Sequence, residues 1–412
     1  MSNSLLNKKI IVGVCGGGKP LSDNNSKSTL LTHLQSLRAI AFISIVICHS
    51  RILNNSLDCL GAWGVSLFFV LSGFVMIYSY YDKNRIKNVS LIYNVKFAFI
   101  KLKRIWLLHI LCTSVMLVPF LFGSHAETLW RVIVKFILNT VWMQEWFPIR
   151  GRSPDIISWF ICTIFLSYFI FPWVVSKFEK NYSVRKAQYY LVICLILQFV
   201  VAFIGTKLSS TFVQNSDSFI DPNMSSWFVY NFPLSRLLEV FIGFNLGYIF
   251  VNKKERFTPN LSTMVEILGI VLAVIANYYY STKSPRLYWY NLTGGYDPKN
   301  SITFAFIFSF SSILLIYSFA MQNGFISKLV TNKISLYLAK ISIYALFIHV
   351  VIFWNVIWVY NRIPGFEKNE FFFTYGCWIS LTLGFVITII ATEIWIRLYD
   401  KFLAPQKSKL RK

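Results

Sequence analysis

The chain is poor in acidic residues and has no organised set of cysteines. Only 17 of its 412 residues are Asp or Glu, against 40 Lys and Arg, so the formal net charge is +23. Its seven cysteines form no CxxC pair and no spacing typical of a metal site. We therefore expect neither a structural disulfide nor a bound metal. Charged residues make up only 14% of the chain, which argues against a soluble globular protein.

Hydrophobic residues supply 56% of the chain and aromatic residues 18%, and several apolar runs reach the ~18 to 20 residues that span a bilayer. We predict an all-α, polytopic membrane protein with about ten transmembrane helices. The stretch 127–144 is apolar but interrupted by Arg131 and Lys135, so we expect it to be re-entrant or to lie on the surface. The predicted crossings are 36–53, 60–81, 104–122, 156–176, 188–206, 228–251, 261–280, 301–321, 341–360 and 374–397.

The positive charge is concentrated in the loops between apolar runs, which fits the positive-inside rule better than nucleic-acid binding. Five basic segments all face the cytoplasm if the N-terminus does and if 127–144 does not cross fully: 83–104, 177–186, 252–256, 322–340 and the tail after Leu398. The loops 207–226 and 281–300 then face outward. We therefore expect a cytoplasmic, disordered extension at 1–33, a membrane domain at 34–397 and a basic cytoplasmic tail at 398–412. No soluble catalytic domain follows the last predicted crossing, so we expect any chemistry to lie within the membrane domain.

The first predicted helix carries Arg38 near its start and His49 eleven positions later. At 1.5 Å per residue these side chains are ~16 Å apart along the axis, so Arg38 sits at an interface and His49 within the bilayer. An ionisable side chain inside a membrane is costly and indicates function. A histidine hydrogen-bonded between helices for packing is the alternative interpretation.

Two adjacent motifs resemble the acyltransferase-3 family of integral membrane acyltransferases. Arg-x10-His in the first helix is followed by a Gly-rich, aromatic second helix. The family is known to transfer acyl groups to glycans, so the resemblance implies a membrane O-acyltransferase. The matching residues are Arg38, His49, Gly64, Val65, Leu67, Phe68, Phe69, Ser72, Gly73 and Phe74.

The third predicted crossing opens with a basic group, in which Lys101 and Arg104 share a helix face and Lys103 adds charge beside them. These residues either set topology and bind lipid phosphates, or they hold the phosphates of a nucleotide-containing donor. The resemblance favours the second role, because the family has a basic-x-x-Arg motif here. It implies acyl-CoA that enters from the cytoplasm. We interpret His109 as a packing residue.

A later stretch matches the family at Trp159, Tyr168 and Pro172, but Ile164 stands where many members carry Glu. Glu145 is a candidate substitute for this acid. Trp159 and the neighbouring tryptophans either stack on a sugar or form an interfacial aromatic belt.

Two further blocks complete the resemblance. Arg236 and Glu239 lie i, i+3 in an apolar helix, where they either pair with each other or act on other groups, such as His49 or an anion. His349, a second intramembrane histidine, matches the last motif, and we assign it a supporting role.

The resemblance and these residues together predict an O-acetyltransferase of the bacterial inner membrane. It moves an acetyl group from acetyl-CoA, or another acyl group from acyl-CoA, to a hydroxyl of a surface glycan. Lipopolysaccharide and exopolysaccharide are the expected kinds of glycan. His49 is the predicted general base or acyl carrier, because the step needs a group with a pKa of about 7. Arg38 assists at the donor, and Ser72 lines the cavity. The alternatives are a transporter of glycan or small anions, and a relative without catalytic activity.

Overall fold

A computed structural model describes residues 31–50, 58–81, 86, 89–122, 128–149, 157–208, 226–253, 256–281, 307–360 and 370–403. Over these residues the chain is all-α, as predicted. The predicted extension at 1–33 lies outside this part except for its last three residues. We number the helices α1 (Thr32–His49), α2 (Asp58–Tyr80), α3 (Leu91–Phe122), α4 (Leu129–Thr140), α5 (Trp159–Asn181), α6 (Val184–Leu208), α7 (Pro233–Asn252), α8 (Pro259–Ser281), α9 (Phe308–Ala320), α10 (Phe325–Val330), α11 (Lys333–Tyr360) and α12 (Glu370–Leu398).

Eight helical spans in the described part are long and apolar enough to cross a membrane. They are Thr32–His49, Leu60–Tyr80, Trp159–Asn181, Val184–Gly205, Trp227–Asn252, Pro259–Tyr279, Lys333–Asn355 and Leu381–Phe402. Two other predicted crossings fall on helices outside this set. The segment 104–122 is the second part of α3, and 301–321 corresponds to the shorter apolar helix α9, described from residue 307. A polytopic membrane protein is therefore confirmed.

The bundle has an inner and an outer set of helices. In the most apolar part of each span, 78% of the residues of the α7 span are buried, compared with 28% for α6 and 17% for the α12 span. The outward side chains of these peripheral helices are apolar, as lipid contact requires. Helices α1, α2, α7 and α11 form the interior, and α3 and α5 pack against it.

Helices α2 and α7 approach each other more closely than side chains would allow. A Cβ atom on Gly73 would lie 2.2 Å from the carbonyl oxygen of Val240, and one on Gly243 would lie 2.1 Å from that of Val70. Both contacts are with backbone, which cannot rotate away. Glycine at both positions is thus a steric requirement, and close backbone approach is how many membrane helices associate.

Helix α4 enters the membrane domain without crossing it. Its 12 residues span ~18 Å, which is less than the ~30 Å hydrocarbon core. The side chains of Trp106 and His109, in the middle of α3, donate to the carbonyl oxygens of Thr140 (2.8 Å) and Asn139 (3.0 Å). His109 lies ~20 Å before the end of α3 at Phe122. Helix α4 therefore returns beside α3 to about this depth, which is the geometry of a re-entrant helix.

One end of the bundle collects several segments predicted to be cytoplasmic. Thr32, at the start of α1, donates to Gln322, and Ser36 hydrogen-bonds Thr331 at 2.9 Å. Asn323 donates to the carbonyl oxygen of Phe257 at 2.6 Å. The start of α1 therefore lies beside Gln322 and Thr331, and Asn323 ties the segment 256–258 to the same end of the bundle. The compartment that this end faces stays a prediction.

The close contact between α2 and α7 at Gly73 and Gly243, which we call the glycine crossing, leads to a test of stability. Gly243→Ala should lower the apparent melting midpoint of the detergent-solubilised protein by about 5 °C or more, because overpacking here must separate two backbones. Gly384→Ala is the matched control, since its Cβ would meet only the ring of Phe353, at 3.0 Å, and a ring can shift. Equal midpoints for the two variants would contradict the proposed steric role of Gly243.

The re-entrant course of α4 leads to a test of topology. Single cysteines at positions 124 and 150, which lie outside the described residues, should be labelled from the same side of the membrane in a background without native cysteines. A cysteine at Asn332, which is exposed at the opposite end of the bundle, should be labelled from the other side. Labelling of positions 124 and 150 from opposite sides would mean that the segment crosses.

Candidate active site

Two histidines from distant parts of the sequence meet inside the bundle. His49 is the last residue of α1, and its Nδ1 lies 3.0 Å from Nε2 of His349, near the middle of α11. The His349 side chain is fully buried, whereas that of His49 is partly exposed. Helix α1 begins at Thr32, four residues before the predicted first crossing of 36–53, and residues 51–53 of that prediction lie outside the described part.

The hydrogen bonds around His349 determine which nitrogen atoms carry protons when both rings are neutral. Nδ1 of His349 lies 3.1 Å from the carbonyl oxygen of Ala345, which only accepts, so this nitrogen must donate. Nε2 of His349 is then an acceptor, and Nδ1 of His49 donates to it. The other nitrogen of that ring, Nε2 of His49, then carries no proton. The arrangement therefore prepares His49 to act as a base or a nucleophile.

Arg38 lies at the other end of α1 from this pair. Its side chain is buried, and its Nη1 donates to Oε1 of Gln35 at 2.8 Å. The two motif residues of α1 are thus separated along the helix, as predicted from the spacing. Arg38 does not join His49 in one cluster, so any shared role requires a ligand that reaches between them.

The predicted donor-binding residues on α3 lie in different environments. Arg104 forms an ion pair with Asp400, and its Nη1 donates to the hydroxyl of Tyr344 at 3.5 Å. The Nζ of Lys101 lies 5.0 Å from the ring centre of Tyr80, and Lys103 is exposed. Arg104 therefore faces α11, the helix that carries His349. Nothing in the sequence indicated that Asp400 or Tyr344 would contact Arg104.

A second buried cluster surrounds Arg236 and Glu239 on α7. Nη2 of Arg236 lies 2.9 Å from Oε2 of Glu239, and both side chains are at most 2% exposed. Three aromatic rings enclose the guanidinium, with centres 5.0 to 5.8 Å from its Cζ: Phe69, Tyr230 and Trp159. We call these five residues the arginine cage. Arg and Glu thus pair with each other, which was the simpler of the predicted roles.

Trp159 has a structural position in this cage. It is the first residue of α5, it is 6% exposed, and its ring packs against Tyr230 with the centres 4.6 Å apart. The next residue, Phe160, contacts Phe347, two positions before His349. The start of α5 therefore lies between the arginine cage and the histidine pair. Ser72, predicted to line a cavity, is half-buried on α2 beside the glycine crossing.

A network of buried polar residues fixes the start of α5. The side chain of Asn139 donates to the carbonyl oxygen of Lys135 and accepts from the hydroxyl of Ser158 at 3.2 Å. Gln144 donates to the carbonyl oxygen of Ser158 at 3.0 Å. The re-entrant helix is thus tied to the residue before Trp159. The polar residues that interrupt the stretch 127–144 were the sequence signal for this network.

Neither Glu145 nor His109 joins the histidine pair through a described contact. Glu145 is buried, and its carbonyl oxygen accepts from the indole of Trp227 at 3.0 Å. His109 binds the end of α4 and packs against Phe347, which agrees with the packing role predicted for it. Ile164 is partly buried on α5. Among the described residues, no three His, Cys, Asp or Glu side chains are arranged to hold a metal ion.

The sequence matches the model of the acyltransferase-3 family, described as an acyltransferase domain, over residues 32–393. The chain belongs to the acyltransferase-3 family. This membership makes it a membrane acyltransferase, and the resemblance seen in the motifs is confirmed. No curated protein and no solved structure matches the chain.

The arginine cage yields a prediction about coupling. Glu239→Ala should strongly destabilise the protein, by about 3 kcal/mol or more, because it leaves Arg236 charged and buried. The double variant Arg236→Met/Glu239→Ala should recover much of this loss, since no buried charge remains. Thermal melting in detergent of the wild type, the double variant and the single variants Arg236→Met and Glu239→Ala measures the coupling between the two residues. A double variant that loses the sum of both single losses would show that the two residues are energetically independent.

Proposed function

We propose that the protein is an O-acetyltransferase of the bacterial inner membrane that moves the acetyl group of acetyl-CoA to a hydroxyl of a surface glycan. The observation that carries this proposal is the hydrogen bond between His49 and His349, which makes Nε2 the unprotonated nitrogen of the His49 ring. The chain belongs to a family of acyltransferases, and acyl transfer to a hydroxyl needs a base of this kind.

In the reaction, Nε2 of His49 accepts the proton of the acceptor hydroxyl as its oxygen attacks the thioester carbonyl. The C–O bond forms, the C–S bond breaks, and the coenzyme A thiolate takes the proton back from His49. In a second route, the same Nε2 attacks the thioester carbonyl, a C–N bond forms, the C–S bond breaks and coenzyme A leaves as the thiolate. The acceptor oxygen then attacks the acyl group, the C–N bond breaks, and the hydroxyl proton goes to the thiolate. Both routes use the same lone pair on Nε2 of His49. They differ in whether a covalent acyl-histidine forms.

His349 orients His49 and stabilises it after protonation. Its Nε2 accepts from Nδ1 of His49, and this hydrogen bond strengthens when His49 becomes an imidazolium ion. An acidic residue performs this task in serine hydrolases. A neutral histidine provides an acceptor without a permanent charge, and a buried carboxylate would be costly inside a bilayer.

The acyl donor approaches through the part of the bundle that holds Arg104, beside the turn that follows α12. Tyr344, which accepts from Arg104, precedes His349 by five residues on α11, a rise of ~7.5 Å. A donor whose phosphates contact Arg104 would thus extend along α11 toward the histidine pair. Lys101, about one turn before Arg104, and the adjacent Lys103 add positive charge, and Arg38 adds it at the start of α1.

The family resemblance supports a glycan acceptor. The position of the histidine pair agrees with it, because the pair lies farther along α11 than Tyr344, the residue that contacts Arg104. Stacking of a sugar on Trp159 has little support, because the ring is packed inside the arginine cage. We therefore assign Trp159 to the wall of the site rather than to the acceptor.

The experiment follows radioactive acetyl groups from [acetyl-¹⁴C]acetyl-CoA into glycan in membranes that carry the protein. His49→Ala should reduce labelling by about 10²-fold or more, the usual contribution of a general base. His349→Gln should retain more activity than His349→Ala, because the amide oxygen can still accept from His49.

Equal labelling by wild type and His49→Ala would show that His49 is structural. Consumption of no acyl thioester by the wild type would instead favour a transporter or an inactive relative. Label that stays on the protein in the absence of glycan, and is lost in His49→Ala, would identify the acyl-histidine route.

A further inference from the structure

The anion-binding side of Arg104 is already occupied by a carboxylate of the same chain. Asp400 forms an ion pair with Nη2 of Arg104. It belongs to a π-helical turn, Tyr399–Leu403, that follows α12 directly. The ring of Tyr399 covers one face of the guanidinium, with its centre 4.7 Å from Cζ.

These contacts leave an incoming phosphate few ways to approach Arg104. A guanidinium binds carboxylate and phosphate through the same donors in its plane. Tyr399 lies over one face, and Tyr344 takes the hydrogen bond from Nη1. A donor phosphate that binds the same N–H of Nη2 as Asp400 must therefore take the position of the Asp400 carboxylate.

Asp400 is the member of this group that can leave most easily. Its side chain is 55% exposed, whereas that of Arg104 is 28% exposed and both tyrosines are 8% exposed. Its departure moves a carboxylate into water and leaves the aromatic walls in place. Ion pairs at this degree of exposure are weak, so they exchange readily with other anions.

We propose that Asp400 occupies the donor-phosphate position of Arg104 and is displaced by the phosphate groups of acyl-CoA. The inference rests on the proposed function, and it adds a residue that sets donor affinity. Asp400 neutralises Arg104 while the donor site is vacant, and it competes with the donor for the same atoms.

The test measures the Kd of coenzyme A for the full-length protein in lipid nanodiscs by isothermal titration calorimetry. Asp400→Asn should bind coenzyme A about three-fold more tightly than wild type, in line with the strength of an exposed ion pair. Glu393→Gln removes the same charge from α12 and serves as the matched control. Its carboxylate accepts from Tyr337 at 2.9 Å rather than from Arg104, so the Kd should not change.

A second pair of variants separates competition from other effects. Arg104→Gln should weaken binding, and adding Asp400→Asn to Arg104→Gln should bring no gain, because the contested cation is gone. The inference is overturned if Asp400→Asn binds coenzyme A more weakly than wild type, which would make Asp400 a positioning residue for Arg104. It is also overturned if Asp400→Asn and Glu393→Gln shift the Kd equally.

The test also distinguishes this inference from the proposed function. Wild-type protein that binds no coenzyme A, and is unaffected by Arg104→Gln, would remove the donor assignment and this inference with it. Coenzyme A binding that depends on Arg104 but not on Asp400 would retain the proposed donor and reject only the role of Asp400.

Discussion

The backbone contact between α2 and α7 at Gly73 and Gly243 is the constraint on which the interior of this protein depends. Membrane helices gain little from the hydrophobic effect when they associate, so close packing must supply the attraction. The contact brings α7 near enough for Arg236 to lie over the ring of Phe69 on α2. A side chain at either glycine would separate the helices and open the arginine cage to lipid.

The second constraint is that polar groups inside a bilayer need partners close by. The protein meets it in three ways: a neutral histidine pair, an Arg–Glu pair within one helix, and ring N–H groups of α3 that donate to the end of α4. Each solution uses few residues and places no isolated charge in the apolar interior. The histidine pair is the arrangement on which the proposed function rests.

The fold class and most crossings were predictable, because long apolar runs with basic loops have few other interpretations. His49 and His349 were recognised separately, but their contact was not, since they lie 300 residues apart and nothing in either motif refers to the other. Asp400 was missed for the same reason. The re-entrant course of α4 was partly predicted: Arg131 and Lys135 indicated that the stretch does not cross, whereas its depth depends on Trp106 and His109 of another helix.

The re-entrant helix has a further consequence for the site. Leu129, Ile133 and Ile137 of α4 are exposed to the surroundings of the bundle, while Asn139 is buried and linked through Ser158 to the start of α5. One short helix therefore separates the lipid from the network that supports Trp159. Changes in bilayer thickness and in the order of the lipid acyl chains act on that helix, as hydrophobic mismatch acts on any membrane segment. For the proposed site, the bilayer is therefore part of the structure that holds the start of α5 in place.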